Sequence, residues 1–444
     1  MTATETGADA QVPEAVVTPG LTPLARLKAI LGGSAGNLVE WYDWFAYSSF
    51  ALYFARHFFP EGDRTAQLLK ASAVFAIGFL ARPVGAWLMG LYADRAGRRT
   101  ALTTAVAMMC LGAFAIAVLP DYSMIGAWAP AGLLIARLVQ GLSVGGEYGA
   151  SATYMTEMAS RKSRGFWSSF QFVTLILGQL LALVVLISLQ SLMSKADLEA
   201  WGWRIPFAIG GVLAIVVFWI RTGLEETASF TAAKAAGDKR ARTMMLFLDH
   251  PKETAMIFGL TAGGSLAFYA YTTYMQKFLV NTAGFSKDVS AAISAGALVV
   301  YMCALPLFGW ASDRLGRKAT LAFTFGVGAL ATFPIFSAIA GTRDAMVAFL
   351  LVVSLLIILT GYSAVSAATK AELFPAHVRA LGVALPYAAA NAVFGGTAEF
   401  VALKFKQVGH ESGFYIYVSA IMAVALAISL ALPDSRRESR ILED

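Results

Sequence analysis

Apolar runs of about 20 residues recur along the whole chain, each long enough to cross a hydrocarbon core of roughly 30 Å. Breaks at charged or Gly/Pro-rich points place spans near 28–56, 66–91, 100–119, 128–157, 165–190 and 203–221. After a polar segment they continue near 254–280, 288–310, 319–340, 344–369, 378–402 and 413–432. The expected fold class is therefore an all-α polytopic membrane protein of 12 transmembrane helices. Composition agrees: of 444 residues, 58% are hydrophobic and only 14% charged, with a mean hydropathy of +0.65. A soluble chain of this length needs more charge to cover its surface.

The basic residues fall on alternate loops: Arg95/Arg98/Arg99, Arg161/Lys162/Arg164, Lys239/Arg240/Arg242, Arg314/Arg317/Lys318 and Arg436/Arg437. That pattern predicts those loops, and both termini, on the cytoplasmic side. It also accounts for the net charge of +6 without any nucleic-acid partner. Residues 1–24 are polar and acidic with no basic stretch leading to a cleavage site, so a cytoplasmic tail is expected. The two cysteines, Cys110 and Cys303, lie in apolar runs of different halves and are expected to pack as small core residues. No metal cluster, nucleotide loop or nucleophile constellation is present in the sequence, so neither a cofactor nor an enzyme is expected, and no ATP drive.

The chain repeats itself. "GLYADRAGRR" (Gly90–Arg99) returns as "GWASDRLGRK" (Gly309–Lys318), and "TEMASRKSR", with Glu157 and Arg164, returns as "AELFPAHVR", with Glu372 and Arg379. Two motifs recurring at nearly one spacing predict two six-helix halves. The expected organisation is a tail over 1–27, a bundle over 28–221, a cytoplasmic linker over 222–253, a second bundle over 254–432 and a tail over 433–444. Two repeats meeting at a midplane cavity is a secondary-transporter plan in which rocking gives alternating access. Asp94 and Asp313 then cap or pair at helix ends, while Arg95, Arg98, Arg99, Arg314 and Arg317 reach toward Glu157 and Glu372. With Arg164, Arg379 and Glu147 they form the expected cytoplasmic gate.

The Gly-x-x-x-Asp-Arg-x-Gly-Arg order seen twice resembles the signature loop of the major facilitator superfamily, and "RLVQGLSVGGEYG" (Arg137–Gly149) resembles its fourth-helix motif. "GNLVEWYDW", "GFLARPVGAWLMG", "GGEYGASATYMTE", "WGWRIPF" and "AELFPAHVRALG" narrow the likeness to the metabolite–proton symporters. The resemblance runs from about residue 28 to 432. It implies a proton-coupled importer of a small organic acid in a bacterial inner membrane, with 2-oxoglutarate the expected substrate. Citrate, shikimate, aromatic acids and the osmolytes proline and betaine are the alternatives, and a non-transporting metabolite sensor is the rival from another class. A monomer is expected.

Charges buried in a bilayer are costly, so each is a functional candidate. The set is Glu40, Asp43, Arg82, Arg137, Glu147 and Glu399; Lys277, Glu157, Lys370 and Glu372 lie nearer helix ends, where snorkelling or gating explains them. All four histidines (His57, His250, His377, His410) fall at span ends or in loops, so proton coupling is expected to fall to a carboxylate. Asn37, Glu40, Asp43 and Tyr47 share one helical face by their 3, 3, 4 spacing. Asp43 stands about 22 Å along the first helix. The resemblance pairs this Asp with the fourth-helix Arg137, so a substrate carboxylate that takes over Arg137 leaves Asp43 to hold a proton. Asp43, with Glu40 as second candidate, is the expected coupling residue. Arg82 sits about 12 Å inside the membrane and, with Arg137, supplies one guanidinium per carboxylate of a dianion. Gln171, Tyr269, Tyr271, Tyr274 and Asn391 are the expected polar neighbours, and Glu399 is either an outer gate or a partner to a basic group.

Overall fold

An apolar run inside a membrane satisfies its backbone only as a helix, and the computed structural model is helical throughout. It describes residues 23–96, 98–143, 162–222 and 249–433, together with Thr156 and Ala159; no strand occurs among them. The first half comprises α1 (Pro23–Phe58), α2 (Arg64–Ala96), α3 (Arg98–Val118), α4 (Trp128–Ser143), α5 (Arg164–Leu192) and α6 (Ile205–Thr222). In the second half, α7 (Pro251–Tyr271) and α8 (Thr273–Asn281) form one passage broken at Thr272. Then come α9 (Lys287–Leu315), α10 (Arg317–Gly341) and α11 (Ala345–Glu372). A further passage runs through α12 (Ala376–Ala390), a π-helical turn at Asn391–Gly395 and α13 (Ala398–Gln407), before α14 (Ser412–Ala431).

These are twelve passages in two six-helix halves. Among the described residues, seven helices are long and apolar enough on their own to cross a membrane. The outward faces of the helices carry large apolar side chains such as Trp87, Leu111 and Leu330, as expected of a surface solvated by lipid. Cys303 belongs to that surface and is exposed, against the expectation of a core position. Apolarity inside a membrane protein does not distinguish a side chain facing lipid from one facing the core. The expected linker falls outside the described residues as far as position 248, and the first helix begins at Pro23 rather than near 28.

Small residues set the closest crossings. A Cβ on Gly141 of α4 would stand 2.1 Å from the carbonyl oxygen of Gly78 on α2, so backbone meets backbone there. The halves touch along two seams: α5 against α9, and α2 against α12–α13. The sequence repeat relates α2 to α9, and the passage of α5 to that of α12–α13, so the two seams are counterparts under the internal pseudo-symmetry.

Candidate functional site

α1 lies between the halves, and its charged residues define the site. Glu40 Oε1 is 3.7 Å from Arg82 Nη2 on α2, with both side chains buried. One turn on, Asp43 Oδ2 accepts a hydrogen bond of 2.9 Å from Arg137 Nη1 on α4, and neither side chain is more than 2% exposed. Gln140, one turn from Arg137, stands beside the Asp43 carboxylate. Trp44 separates the two arginines: its ring lies 4.3 Å from the Arg82 guanidinium and 5.3 Å from that of Arg137. Arg82 also stacks on Phe79 at 4.0 Å and Trp41 at 4.8 Å, and Arg137 on Tyr47 at 4.1 Å. Trp41 and Trp44 of "EWYDW", with Tyr47 and Phe79, therefore form aromatic walls that hold the two cations in place. Arg82 Nε and Nη2, and Arg137 Nε and Nη2, are buried donors without a hydrogen-bond partner among the described residues. Unpaired buried donors are expensive.

Tyr269 packs edge-on against Phe79 from the second half, close to Arg82 and beside Asn391. Asn391 opens the π-helical turn, a form frequent at functional sites. That turn can approach so closely because Gly396 leaves room: a Cβ there would lie 2.3 Å from Phe79 Cβ. Gln171 is buried on α5, near the Thr174 hydroxyl that accepts a bond from Asn37. Tyr271 and Tyr274 do not join this group. The Tyr271 hydroxyl bonds Thr332 on α10, and the Tyr274 hydroxyl donates to Glu411 at 3.2 Å near the start of α14. Both are held within the second half.

The side chain of Lys277 is fully buried, not snorkelling at a helix end: its Nζ is 2.8 Å from Glu399 Oε2 on α13 and donates to Ser48 Oγ at 2.6 Å. Ser48 in turn donates to Glu399 at 3.0 Å. Lys370 is buried as well, with Nζ 4.2 Å from the Tyr387 ring. A lone lysine and a lone glutamate in two apolar runs were the sequence signal for the Lys277–Glu399 pair, but neither carries information about its partner.

At the end where α5 starts and α9 stops, the halves are joined by the repeated motif. Asp313 accepts from the backbone N–H groups of Gly165 (2.8 Å) and Phe166 (3.0 Å), capping α5 across the seam. Arg317 bonds Asp313 at 2.8 Å and lies 3.6 Å from Glu372, which is also 3.7 Å from Arg164. Gly316 has φ +97, a left-handed turn that explains the motif's glycine. Arg314 stacks on Trp310, and Arg379 donates to the Phe374 carbonyl. The side chains of Asp94, Arg95, Arg98, Arg99, Glu147 and Glu157 lie outside the described residues.

At the opposite end, Glu199 on the short helix Lys195–Ala200 binds Lys287 of α9 at 2.6 Å and Arg56 at 3.1 Å, and Lys195 lies 3.5 Å from Asp288. The Lys287–Glu199 and Lys195–Asp288 pairs cross the same seam, whereas Arg56–Glu199 stays within the first half; they border a cavity of about 420 Å³ lined by Tyr53, Arg64 and Gln190 among others. Burial pushes the Glu199 carboxyl up, but the hydrogen bond and charge of Lys287, then Arg56 and Arg64, outweigh it and hold the pKa below the ordinary range.

A family model described as "Sugar (and other) transporter" matches residues 29–253 and 244–435. The chain belongs to that transporter family. It is 51% identical over 411 residues to the alpha-ketoglutarate permease of Escherichia coli (strain K12), covering 92% of this chain and 94% of the relative. It is 34% identical over 373 residues to a citrate-proton symporter of Klebsiella pneumoniae, covering 84% of each. Among solved structures, the xylose transporter XylE from E. coli in a partially occluded inward open conformation aligns with a TM-score of 0.73 at 19% identity. That alignment covers 93% of this chain and 98% of the other, and establishes the major facilitator fold. The protein is a multi-pass membrane transporter, not an enzyme.

Proposed function

We propose that this transporter carries a small dicarboxylate, 2-oxoglutarate first, together with protons, and that the substrate sits between Arg82 and Arg137. The observation that carries this reading is the set of buried guanidinium donors, on both arginines, that make no hydrogen bond among the described residues, held on either side of one tryptophan. A planar fork with free donors suits a carboxylate bidentately. The 51% identity to a permease whose name specifies alpha-ketoglutarate supports the same substrate. Tyr269 and Asn391 stand where a keto or carboxylate oxygen would find them, and Gln171, buried on α5, is the further candidate.

Proton coupling follows from charge. Glu40, Arg82, Asp43 and Arg137 make a neutral set of two pairs. A dianion adds two negative charges to a dry site, and the cheapest relief is protonation of a resident carboxyl. When a substrate carboxylate takes Arg137, Asp43 loses its counter-ion and becomes the proton carrier. Glu40 holds Arg82 more loosely and is the second carrier.

The Asp313–Arg317–Glu372–Arg164 cluster is the cytoplasmic gate, by the placement of basic residues at that end. Residues 28–221 and 254–432 rock about the seam, with 222–253 as cytoplasmic linker, both termini cytoplasmic, and the bacterial inner membrane as location. Alternating access needs one copy of the chain, so the working unit is a monomer.

The test is uptake of labelled 2-oxoglutarate into proteoliposomes under an imposed pH gradient, with citrate, shikimate and betaine as competitors. Asp43→Asn should abolish gradient-driven accumulation while leaving counterflow exchange. Wild-type uptake indifferent to the gradient would sink the symport reading, and preferential competition by betaine would sink the dicarboxylate one.

A further inference from the structure

A buried ion pair stabilises a protein little. Apolar residues of similar volume generally do as well or better, so its retention calls for another use. Lys277 and Glu399 meet this condition in the most demanding setting, a membrane interior, with no more than 5% exposure on either side chain. Each follows an irregularity in its helix. Lys277 lies one turn after the break at Thr272, and Glu399 lies just after the π-helical turn Asn391–Gly395. Tyr269 stands before the first irregularity and Asn391 opens the second; the two are neighbours, and Tyr269 lies near Arg82. Interrupted helices at the repeat interface are where transporters place substrate groups. The pair also reaches across the seam, because its third member, Ser48, belongs to α1 in the first half. Ser48 is five residues beyond Asp43 and so well round the helix from it, but Tyr47 links the two sites: Arg137 stacks on its ring at 4.1 Å and Glu399 lies close enough to act on its hydroxyl, so Lys277 stands on the far side of Tyr47 from Arg137, a span a short dicarboxylate can bridge.

We propose that Lys277 is a third substrate cation and Glu399 its exchangeable counter-ion. A substrate carboxylate replaces Glu399 on Lys277, and the displaced Glu399 carboxyl takes up a proton from the aqueous side then open, which travels with the substrate. This rests on the dicarboxylate–proton reading above. The exchange balances charge: one carboxylate replaces another on the ammonium, and the incoming proton neutralises the one displaced. It also breaks the Ser48 bridge between the halves, so that occupancy and seam opening are linked. The groups that face Glu399 are Lys277 and Tyr274 from α8 and Tyr47 and Ser48 from α1. Arg137 stands behind Tyr47 and Glu411 behind Tyr274. Lys277 is the sole cation in direct contact with it among the described residues. A lysine suits exchange better than an arginine, being a compact point charge without a fork to satisfy.

The experiment counts protons per labelled 2-oxoglutarate in proteoliposomes, from the reversal potential of uptake, for the wild type, E399Q, K277M, the neutral pair K277M/E399Q, and D43N. Expected are one proton fewer per substrate in E399Q, and a KM raised about tenfold or more in both K277M and the neutral pair. The neutral pair guards against misfolding, since it leaves no buried charge behind, and a monodisperse elution profile checks it. A neutral pair that transports with the wild-type KM and proton count makes Lys277–Glu399 a packing element and overturns the proposal. An unchanged count in E399Q overturns the proton step. If D43N loses accumulation while E399Q keeps its count, only the Lys277–Glu399 assignment fails. If the wild type moves no proton with 2-oxoglutarate, the symport reading itself fails, and this proposal with it.

Discussion

The Asp313 contact offers the sharpest perturbation, because one carboxylate of the second half caps a helix of the first. Two backbone N–H groups of α5 donate to it at 2.8 and 3.0 Å. Hydrogen bonds to a charged group contribute about 1.5–3 kcal/mol each, and an anion at a partly buried helix N-terminus contributes up to about 2 kcal/mol. Gly165 and Phe166 use different carboxylate oxygens, so Asp313→Asn keeps one acceptor, replaces the other with an NH2 group that cannot accept, and removes the charge. A loss of about 2 kcal/mol from the state closed at this end is therefore reasonable, a shift of roughly 30-fold in the opening equilibrium. Thr369, buried on α11 beside Arg317 and Glu372, reports on that opening. With Cys110 and Cys303 replaced, Thr369→Cys should react with a membrane-impermeant maleimide in inside-out vesicles. Its rate should be roughly 30 times faster in the Asp313→Asn background when opening limits access. Asp344 is the matched control: it accepts from Met346 and Val347 N–H at 2.8 and 3.1 Å, but caps its own helix, α11. Asp344→Asn should leave labelling unchanged. A rate within twofold of the parent in Asp313→Asn would show that the cap does not hold the halves together.

At the other end, the depressed pKa of Glu199 means that its ionised form favours the closed arrangement with Lys287 and Arg56. That contribution is fully present above the ordinary glutamate pKa of about 4.3 and is lost as pH falls through the lowered value. Labelling of Val280→Cys in the bordering cavity should thus be flat between about pH 5 and 8 and rise only in stronger acid. Glu199→Gln should label fast at every pH; a Glu199→Gln variant as slow as its parent would dissociate the network from closure. The tyrosines separate by their contacts. Tyr269→Phe should raise the KM for 2-oxoglutarate about fivefold to tenfold, as for a lost hydrogen bond of about 1–1.5 kcal/mol. Tyr271→Phe should leave the KM alone and lower thermal stability, since its hydroxyl serves Thr332. Equal effects on KM would mean that both hydroxyls face the substrate.

Fold and half-repeat were legible in the sequence because they depend on local quantities: run length, hydropathy and two motifs recurring at a fixed offset. The site was legible only as a set of buried charges, since burial in a membrane flags a charge without saying what it meets. Periodicity placed Asn37, Glu40, Asp43 and Tyr47 on one face, and a face usually has one neighbour. α1 lies at the centre of the molecule, so the same stripe is divided among several. Asn37 meets α5, Glu40 meets α2, Asp43 meets α4, and Tyr47 donates to the Ala71 carbonyl on α2. Aromatic spacing was equally mute about Tyr269, Tyr271 and Tyr274: the first two, two residues apart on α7, face nearly opposite ways, and the break at Thr272 resets the phase before the third.

That central position has a consequence for coupling. Trp41 and Trp44 hold Arg82, Asp43 holds Arg137, and Ser48 touches Lys277 and Glu399, all within about two turns of one helix. The first two contacts lie within the first half and survive rocking, whereas the Ser48 contact crosses the seam and does not. A substrate bound by Arg137 alone would therefore be held equally well with the seam open or shut, and equal affinity for two states shifts neither. Only a ligand that also engages the second half, through Tyr269, Asn391 or Lys277, distinguishes the closed state from the open ones. On the proposed binding mode, the differential affinity that drives the conformational cycle comes from the second-half residues, while the arginines of the first half supply the affinity common to all states.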